Sequence, residues 1–408
     1  MIREVYINRM KEIALNVTQT RIDSIRKKDI TKSGCRVYKD GYIGVSGSLG
    51  EPTEETWNEA IKNLENKVPY NFEVCKDRKR RRDLRECNMS SDEFLKKAEE
   101  LLEIIRSEFP NFIFGNKIKS IETEITLKND VGLEYVNLDK YYQTELIIKH
   151  KESVNVFDTA VQRCERQFDI EAIVKDVRDY LTAFDNIVEI PKETKIPVIS
   201  NFYDLGEKVI EGLNGNDLYK GTSIFNNKLG KEVFSKDFTV YVDRSEENID
   251  IPFFDAEGSV IENDRFYLIQ NGKINFGYTD KKTSAEYNIP NTAAASANYD
   301  EVPSLYGQGM VESRIKVKSG DKTLSEILNG KEAIYTVIMS GGDCTNEGDF
   351  ASPVQMSYLF KDGKIVGRLP ELSVYGNIYE MFGEDYLGQT ADRCYFGEHA
   401  IVLNMNIK

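Results

Sequence analysis

Histidine is scarce in this sequence, which contains only two among 408 residues, His150 and His399. Catalytic zinc commonly takes three protein ligands, often imidazoles, and a single chain with two histidines cannot supply three. The two residues are also far apart, so a mixed metal site would need ligands from distant segments. We expect both to be surface or edge histidines and predict no metal site in this chain.

Long hydrophobic runs are also missing, and none approaches the ~18 apolar residues of a membrane span. The first residues, "MIREVYINRMKEIALNV", lack a small-residue cleavage site, so we predict a helix over residues 2–17 instead of a signal peptide. No C-x-x-C pair is present, and a chain of this length needs no disulfides. We therefore predict a cytoplasmic protein with free thiols at Cys35, Cys75, Cys87, Cys164, Cys344 and Cys394.

Positive charge is in deficit, because the net charge is −14. Such a surface repels nucleic-acid backbones and anionic membranes. The exception is "KDRKRRRDLRE", residues 76–86, a run typical of a nucleic-acid or anionic-ligand patch. Its interspersed acids, Asp77, Asp83 and Glu86, favour a solvated linker or a helix start. We expect the second interpretation, with no nucleic-acid partner and no membrane partner.

The elements that the sequence does contain indicate an α+β fold. Thr53 is a helix cap, Ser90 with Glu93 forms a capping box, and Asp40-Gly41 lies between apolar arms as in a hairpin. We predict an N-terminal α/β unit over residues 1–80 and a middle unit of helices and a β-meander over residues 81–195.

The remaining residues, 196–408, are predicted to form a strand-rich, mostly antiparallel C-terminal domain. Asn271-Gly272 and Asp362-Gly363 each separate two strand-like segments, which is the strongest short-range signal of a hairpin. Short helices interrupt the strands at "TLSEILNG" and "NIYEMFG".

Motifs of common enzyme classes are absent. We find no P-loop and no Gly-x-Gly-x-x-Gly opening a βαβ unit. The segment "GVSGS", residues 44–48, is one position away from a nucleophile elbow and has no histidine near it in the sequence, so a serine triad is disfavoured.

The loop "MSGGDCTNEGDF" is unusual for its glycines and acids. Gly341 and Gly342 permit close backbone approach, so Gly341, Gly342, Asp343 and Cys344 are candidate substrate-binding residues. Cys344 would become a nucleophile only if folding supplied a base. Asp343, Glu347 and Asp349 offer cation ligands without the spacing of an EF-hand. We favour a structural or peptide-facing loop.

The segment "DLGEKVIEGLNGNDLYKGTSIF", residues 204–225, predicts a short amphipathic helix that runs into a glycine-rich loop. Asp204 would cap this helix with Glu207 three residues later, and Leu205, Val209 and Leu213 would share its buried face. Glu207 and Glu211 lie one turn apart. The pair is a site, the remains of a site or a solvated helix face.

Several segments resemble the TldD/PmbA family, also called modulator of DNA gyrase. "IPFFDAEGSVIENDRFYLIQNGKI" is similar to its "DDEG…LIENG" segment, and "SGGDCTNEGDFASPVQMSYLFKDGKIVGRL" to its glycine-rich C-terminal block. "SIRKKDITKSGCRVYKDGYIGVSGS" resembles its N-terminal segment. The resemblance runs over most of the chain and is strongest over residues 251–390.

The family's peptidase subunit, TldD, carries a His-Glu-x-x-x-His helix followed by "KGTSVF". The similar "YKGTSIF" here places Gly206 at the first histidine, Glu207 at the glutamate and Glu211 at the second histidine. Cys394 loosely matches a C-terminal cysteine ligand. The resemblance therefore implies a degenerate metal helix, no confident catalytic residue, and zinc only in a TldD-like partner.

The resemblance implies the non-metal, TldE/PmbA-like subunit of a metallopeptidase complex that acts in proteolysis or maturation of unfolded peptides. The expected partners are a TldD-like subunit, or a second copy of this chain, and unfolded polypeptide. The alternatives are a stand-alone peptide-binding or regulatory homodimer, and an independent hydrolase that uses other metal ligands or the thiol of Cys344 or Cys394.

Overall fold

The computed structural model describes residues 1–85, 89–306 and 314–408. Glu86 and Cys87, which belong to predictions made above, lie outside the described residues. The elements of the first 185 residues are, in chain order, β1 (Ile2–Thr18), β2 (Arg21–Lys39), β3 (Tyr42–Leu49), α1 (Glu54–Lys62), a 3-10 helix (Asn63–Asn66), β4 (Val68–Pro69), β5 (Arg78–Leu84), α2 (Ser91–Glu108), β6 (Phe112–Asn129), β7 (Leu133–His150), β8 (Thr159–Glu165) and α3 (Ile170–Phe184).

The rest of the chain contains shorter elements. They are, in chain order, β9 (Lys195–Ser200), α4 (Phe202–Gly212), α5 (Gly215–Lys220), β10 (Val240–Asp243), a 3-10 helix (Glu262–Asp264), β11 (Arg265–Gln270), β12 (Lys273–Ile274), α6 (Lys281–Tyr287), β13 (Ala295–Ser296), β14 (Ser304–Leu305), β15 (Ile315–Val317), α7 (Leu324–Leu328), β16 (Ala333–Met339), β17 (Asp343–Cys344), β18 (Asp349–Lys361), β19 (Lys364–Arg368), β20 (Leu372–Asn377), α8 (Ile378–Met381), β21 (Tyr386–Gln389) and β22 (Ile401–Ile407).

The N-terminal strands form one eight-stranded sheet in the order β4-β3-β2-β1-β6-β7-β5, with β8 also paired to β7. All its pairs are antiparallel except β5 with β7. The sheet takes strands from both sides of residue 80, and the division of the chain at residues 80 and 195 stays a prediction.

The C-terminal strands close on themselves. β16, β9, β22, β20 and β18 pair in that order, and β18 pairs back with β16, so these five strands form a barrel. Side chains alternate across a strand, and successive residues of β22 accordingly enter different cores. Ile401 joins the α4 core, which contains Leu205 and Phe382, and Val402 joins the α2–α3 core, which contains Leu101.

Local signals in the sequence predict several elements correctly. The α+β class is confirmed, as are the caps at Thr53 and Ser90. The turns at Asp40-Gly41, Asn271-Gly272 and Asp362-Gly363 each join two antiparallel strands. The described cysteines are free thiols, and no helix among the described residues combines the length and apolar character that a membrane crossing requires.

The helix predicted over residues 2–17 is wrong, because these residues form β1. This strand pairs with β2 on one side and β6 on the other along most of its length. The β-branched residues Val5, Ile7 and Ile13 suit a strand, and hydrogen bonds from two neighbours outweigh the helical spacing of the apolar residues. The predicted meander is present, because β6, β7 and β8 pair in chain order as antiparallel neighbours, with residues 133–150 forming the single strand β7.

The basic run is a strand, not a linker or a helix start. Residues 78–84 form β5, in which Arg82 and Leu84 are buried and Arg81 and Asp83 are exposed. Arg80 forms two hydrogen bonds with the carboxylate of Asp264, of 3.1 and 2.9 Å. The charges of this run are therefore largely used within the protein.

Two buried arginines of the N-terminal sheet, Arg36 and Arg82, join it to residues 244–258, a segment with no helix or strand. A third buried arginine, Arg244, lies in this segment. Arg82 Nη1 donates to the carbonyl of Arg244 at 2.7 Å, and Arg36 donates to the carbonyl of Ala256. Buried carbonyls must be paired, and these guanidinium groups supply donors that a sheet neighbour would otherwise provide.

Arg244 makes the densest set of these bonds. Its guanidinium donates to the carbonyls of Pro252 and Phe254 at 2.8 and 2.7 Å, and to the carbonyl of Ala293 at 3.0 and 2.6 Å. A fourth partner is the hydroxyl of Tyr306. The side chain is 1% exposed, so water cannot replace these bonds after truncation.

We predict that Arg244→Met lowers the free energy of unfolding by about 3 kcal/mol or more, because several buried carbonyls lose their donors at once. Urea unfolding followed by circular dichroism measures this. Arg78→Met, at an exposed position of β5, is the control and is expected to change stability by no more than about 0.5 kcal/mol. Equal stability of the two variants would contradict the role given to Arg244.

Glu257 lies in the same segment and is 3% exposed. Its carboxylate accepts from the Tyr70 hydroxyl at 3.1 Å and from the backbone N–H of Lys281 at 2.9 Å. Burial, followed by the nearby carboxylate of Asp255, raises the pKa of Glu257 to about 8. The folded protein therefore holds this proton at pH values at which the unfolded chain has released it.

A carboxyl whose pKa is raised by folding contributes stability that is complete at low pH and is lost as the pH rises towards the folded value. Between about pH 4.5 and 8, we predict that the unfolding free energy of the wild type falls more steeply with pH than that of Glu257→Gln. The difference in slope is up to about 1.4 kcal/mol per pH unit. Glu262→Gln, at an exposed position, should follow the wild type, and parallel curves for all three proteins would refute the assignment.

Candidate functional site

Helix α4 carries the residues that align with the metal motif, and it begins earlier than predicted. Asn201, not Asp204, is the cap, because its side-chain oxygen accepts from the backbone N–H of Asp204 at 2.9 Å. Beyond Gly212, the predicted loop contains a second short helix, α5. The predicted buried face is correct, since Leu205, Val209 and Leu213 all lie in the α4 core.

Gly206 lies on the buried side of α4, where the ring of Phe202 covers it. A Cβ atom built on Gly206 would be 2.6 Å from Cδ2 of that ring, closer than real Cβ contacts. Phe202 is itself fixed by Phe238 and Phe382, with ring centroids 6.1 and 5.9 Å away. No side chain of any kind fits at position 206 without displacing this aromatic group.

Glu207 and Glu211 lie on the outer side of the helix. Glu207 is exposed, whereas Glu211 is half-buried and forms an ion pair with Lys208 at 3.1 Å. Within the described residues, no three His, Cys, Asp or Glu side chains are grouped so that they could hold a metal ion. The zinc that the family implies does not fit the residues at this helix, because position 206 has no ligand atom and no space for one.

The glycine loop forms a small hairpin. Asp343 and Cys344 make up β17, which pairs with Phe350 and Ala351 of β18. Gly341 has a φ of +64°, and a Cβ atom at this residue would have no neighbouring atom within 4 Å, so its surface is open. Its carbonyl accepts from the Ser352 hydroxyl at 2.6 Å, which holds the loop to β18.

This hairpin and helix α4 come together in the fold. Burial raises the pKa of the Cys344 thiol, Lys208 opposes that rise, and Glu211 and Asp349 add to it. Cys344 also packs against the α4 core, so its hairpin lies near the side of α4 that carries Lys208 and Glu211. We call this region the α4 surface and define it by Lys208, Glu211, Gly341 and Cys344. A thiol with a raised pKa is a poor nucleophile at neutral pH.

The other candidate residues lie elsewhere or are already engaged. Asp349 accepts from the side-chain amide of Asn377 at 2.9 Å, so it serves the hairpin. Cys394 packs against the α2–α3 core, whereas Cys344 packs against the α4 core. Burial raises the pKa of Cys394 to about 11. His150 packs edge-on against Phe112, with ring centroids 5.1 Å apart.

A cavity of about 420 Å³ was not predicted from the sequence. Its walls come from β7 and β8 of the N-terminal sheet, from the first residues of α4, from β10 and β15, and from residues 389–399. His399 lines it, so this histidine is not merely a surface residue. The segments are far apart in sequence, and only His399 carried a signal that could have drawn attention to the region.

Comparisons with known proteins show similarities of fold and of domain. Residues 199–395 match the model of the PmbA/TldA metallopeptidase C-terminal domain. The structure is similar to the crystal structure of TldE from Thermococcus kodakarensis, with a TM-score of 0.82 and 18% identity, over 100% of this chain and 96% of that one.

Two further proteins are similar to this chain in sequence. An uncharacterized protein of Methanocaldococcus jannaschii is 23% identical over 93% of this chain and 90% of its own length. A zinc metalloprotease TldD homolog of Saccharolobus solfataricus is 27% identical over 190 residues, which are 45% of this chain and 40% of that protein.

Residues 199–395 are therefore similar to the C-terminal domain that this family model describes. The similarity to the TldD/PmbA family is confirmed, and the whole chain has the fold of TldE.

We predict that Gly206→Ala destabilises the protein by about 1–3 kcal/mol, because the added methyl group must displace the Phe202 ring from a packed aromatic cluster. Chemical denaturation measures the loss. Gly115→Ala is the matched control, since its new Cβ would meet only ordinary contacts of 3.5 Å or more. An equally small effect at both positions would show that α4 has room for a ligand side chain.

Proposed function

We propose that this chain is the non-metal, TldE-like subunit of a TldD/TldE-type peptidase complex that acts on unfolded polypeptide. The observation that carries the proposal is the Phe202 ring over Gly206. The helix aligns with a metal motif, and at Gly206, the position of the first ligand, the Phe202 ring fills the space that a side chain would need. The metal chemistry then belongs to a TldD-like partner with an intact His-Glu-x-x-x-His helix.

The α4 surface supports a role in holding extended substrate. Gly341 presents open backbone, and the neighbouring β17 pairs with β18 alone among the described strands, so its outer edge can present main-chain groups. Pairing with main-chain groups tolerates many side chains, which suits unfolded polypeptide. The raised pKa values of the Cys344 and Cys394 thiols give less support to an independent thiol hydrolase. A peptide-binding homodimer remains the alternative that complementation distinguishes.

We predict that the chain alone does not cleave an unfolded protein, and that it supports cleavage when mixed with a TldD-like subunit. Glu207→Ala in this chain should leave the rate of the mixture nearly unchanged, because Glu207 is exposed and has no metal-bound water to act on. The matched change of the partner's motif glutamate should abolish cleavage. The rate of peptide release measures both.

The melting temperature of the same Glu207→Ala preparation provides the control. Asn201 caps the helix, so the variant should lose no more than about 0.5 kcal/mol of stability. A large loss of rate in a stably folded Glu207→Ala variant would contradict the subunit proposal and favour a working site in this chain.

A further inference from the structure

Strand β2 of the N-terminal sheet is paired on both sides over only part of its length. β1 pairs with it along almost the whole strand, whereas β3 pairs only with residues 32–39. Among the strands that the structure describes, none pairs with residues 24–31 on the side away from β1. We call residues 24–31 the free edge of β2.

The outward backbone groups of the free edge are fixed by its last residue. The carbonyl of Thr31 accepts from the backbone N–H of Gly50, just after β3, at 2.8 Å, so it points away from β1. Backbone groups alternate in direction along an antiparallel strand. The N–H and C=O groups of Ile25, Lys27 and Asp29 therefore point outward as well, and the described residues supply no backbone partner for them on that side.

The free edge is long and its side chains are accessible. It extends for about 27 Å, because each residue of a strand adds about 3.4 Å. Ile25 and Ile30 are 48% and 40% exposed. An exposed edge of this kind is a template on which another extended chain can pair.

The middle of the free edge is positively charged, although the chain as a whole is acidic. Arg26 and Lys27 are exposed, and their neighbours across β1 are Ala14 and Ile13, which carry no charge. The other charges of the edge lie beside opposite charges on β1. Lys28 forms an ion pair with Glu12 at 2.7 Å, and Asp29 lies opposite Lys11. The charges of Arg26 and Lys27 are thus left for a chain on the outer side.

We propose that the free edge of β2 binds an extended acidic segment of an unfolded polypeptide. The segment adds a strand to the sheet through the outward main-chain groups, and two consecutive acidic side chains lie opposite Arg26 and Lys27. A second copy of this chain fits less well, because pairing centred on Lys27 would put that residue opposite itself and Arg26 opposite Lys28. The proposal goes beyond the proposed function and does not depend on it, because it involves neither the α4 surface nor a partner subunit.

The test is the fluorescence anisotropy of a labelled peptide as long as the free edge, in which threonine and valine alternate around two central glutamates. A comparison peptide has two central lysines instead. We expect the full chain to bind the acidic peptide saturably and the basic one at least about tenfold more weakly, because opposite charges on neighbouring strands attract and like charges repel. Equal binding of the two peptides, or no saturable binding of the acidic one, would overturn the proposal.

Two variants at one position separate the main-chain contribution from the charge. Lys27→Pro removes an N–H that points away from β1, so the pairing with β1 keeps its bonds while the outer edge is blocked. It should weaken binding of the acidic peptide about tenfold or more, and more than Lys27→Gln, which loses the charge but keeps the N–H. Lys39→Gln is the control, because Lys39 is exposed on the same strand where β3 already pairs, and it should bind as the wild type does.

Charge reversal keeps the test decisive if Lys27→Pro does not fold. The double variant Arg26→Glu, Lys27→Glu should prefer the basic peptide over the acidic one. Charged side chains on a strand edge can also serve only to prevent pairing; in that case neither peptide binds the wild type, and the proposal fails. Self-association of the wild type that Lys27→Pro abolishes, measured by sedimentation, would also overturn it, because a second copy would then occupy the edge.

Discussion

The fold depends on hydrogen bonds from buried arginines to a segment that has no regular structure of its own. Residues 244–258 run between the N-terminal sheet and the strand-rich remainder, and their carbonyls cannot be satisfied by a neighbouring strand. Arg36 and Arg82 reach them from β2 and β5, and Arg244 reaches them from within the segment. Charge-assisted bonds to several carbonyls at once fix the position of the segment.

This segment also contains "DAEG", residues 255–258, in which the carboxylates of Asp255 and Glu257 are buried. Asp255 accepts from the backbone N–H groups of Glu257 and Ser259 at 2.9 and 2.8 Å, so it organises a turn. Glu257 binds Tyr70 from the N-terminal part and Lys281 from α6. These residues therefore join separate parts of the chain.

At position 206 of the candidate site, an aromatic ring and a metal-ligating side chain would need the same space. A glycine in α4 allows the Phe202 ring to fold back over the helix, and that ring belongs to an aromatic cluster with Phe238 and Phe382. A histidine at position 206 would require the cluster to open. At this position the packing of the Phe202 ring leaves no space for a ligand side chain.

The sequence predicts features that depend on neighbouring residues, such as the capping box at Ser90 and the hairpin turns at Asn271 and Asp362. Sequence-based prediction fails where pairing between distant segments determines the secondary structure. Residues 2–17 have helical spacing but become a central strand, since β2 and β6 flank them. In β5, nearly every residue is charged, so the sequence does not show that Arg82 and Leu84 are the buried positions. The cavity around Gln389 joins segments more than 200 residues apart, and no local pattern marks such an assembly.

The central claim is that this chain works beside a metal-bearing partner and holds no zinc itself. The most direct measurement is purification of the chain from its own cells, with the bound protein identified by mass and the metal content determined by elemental analysis. The account predicts a partner with a His-Glu-x-x-x-His helix, and zinc that stays with that partner when the two are separated. Stoichiometric zinc on the isolated chain, lost in Glu207→Ala, would contradict it.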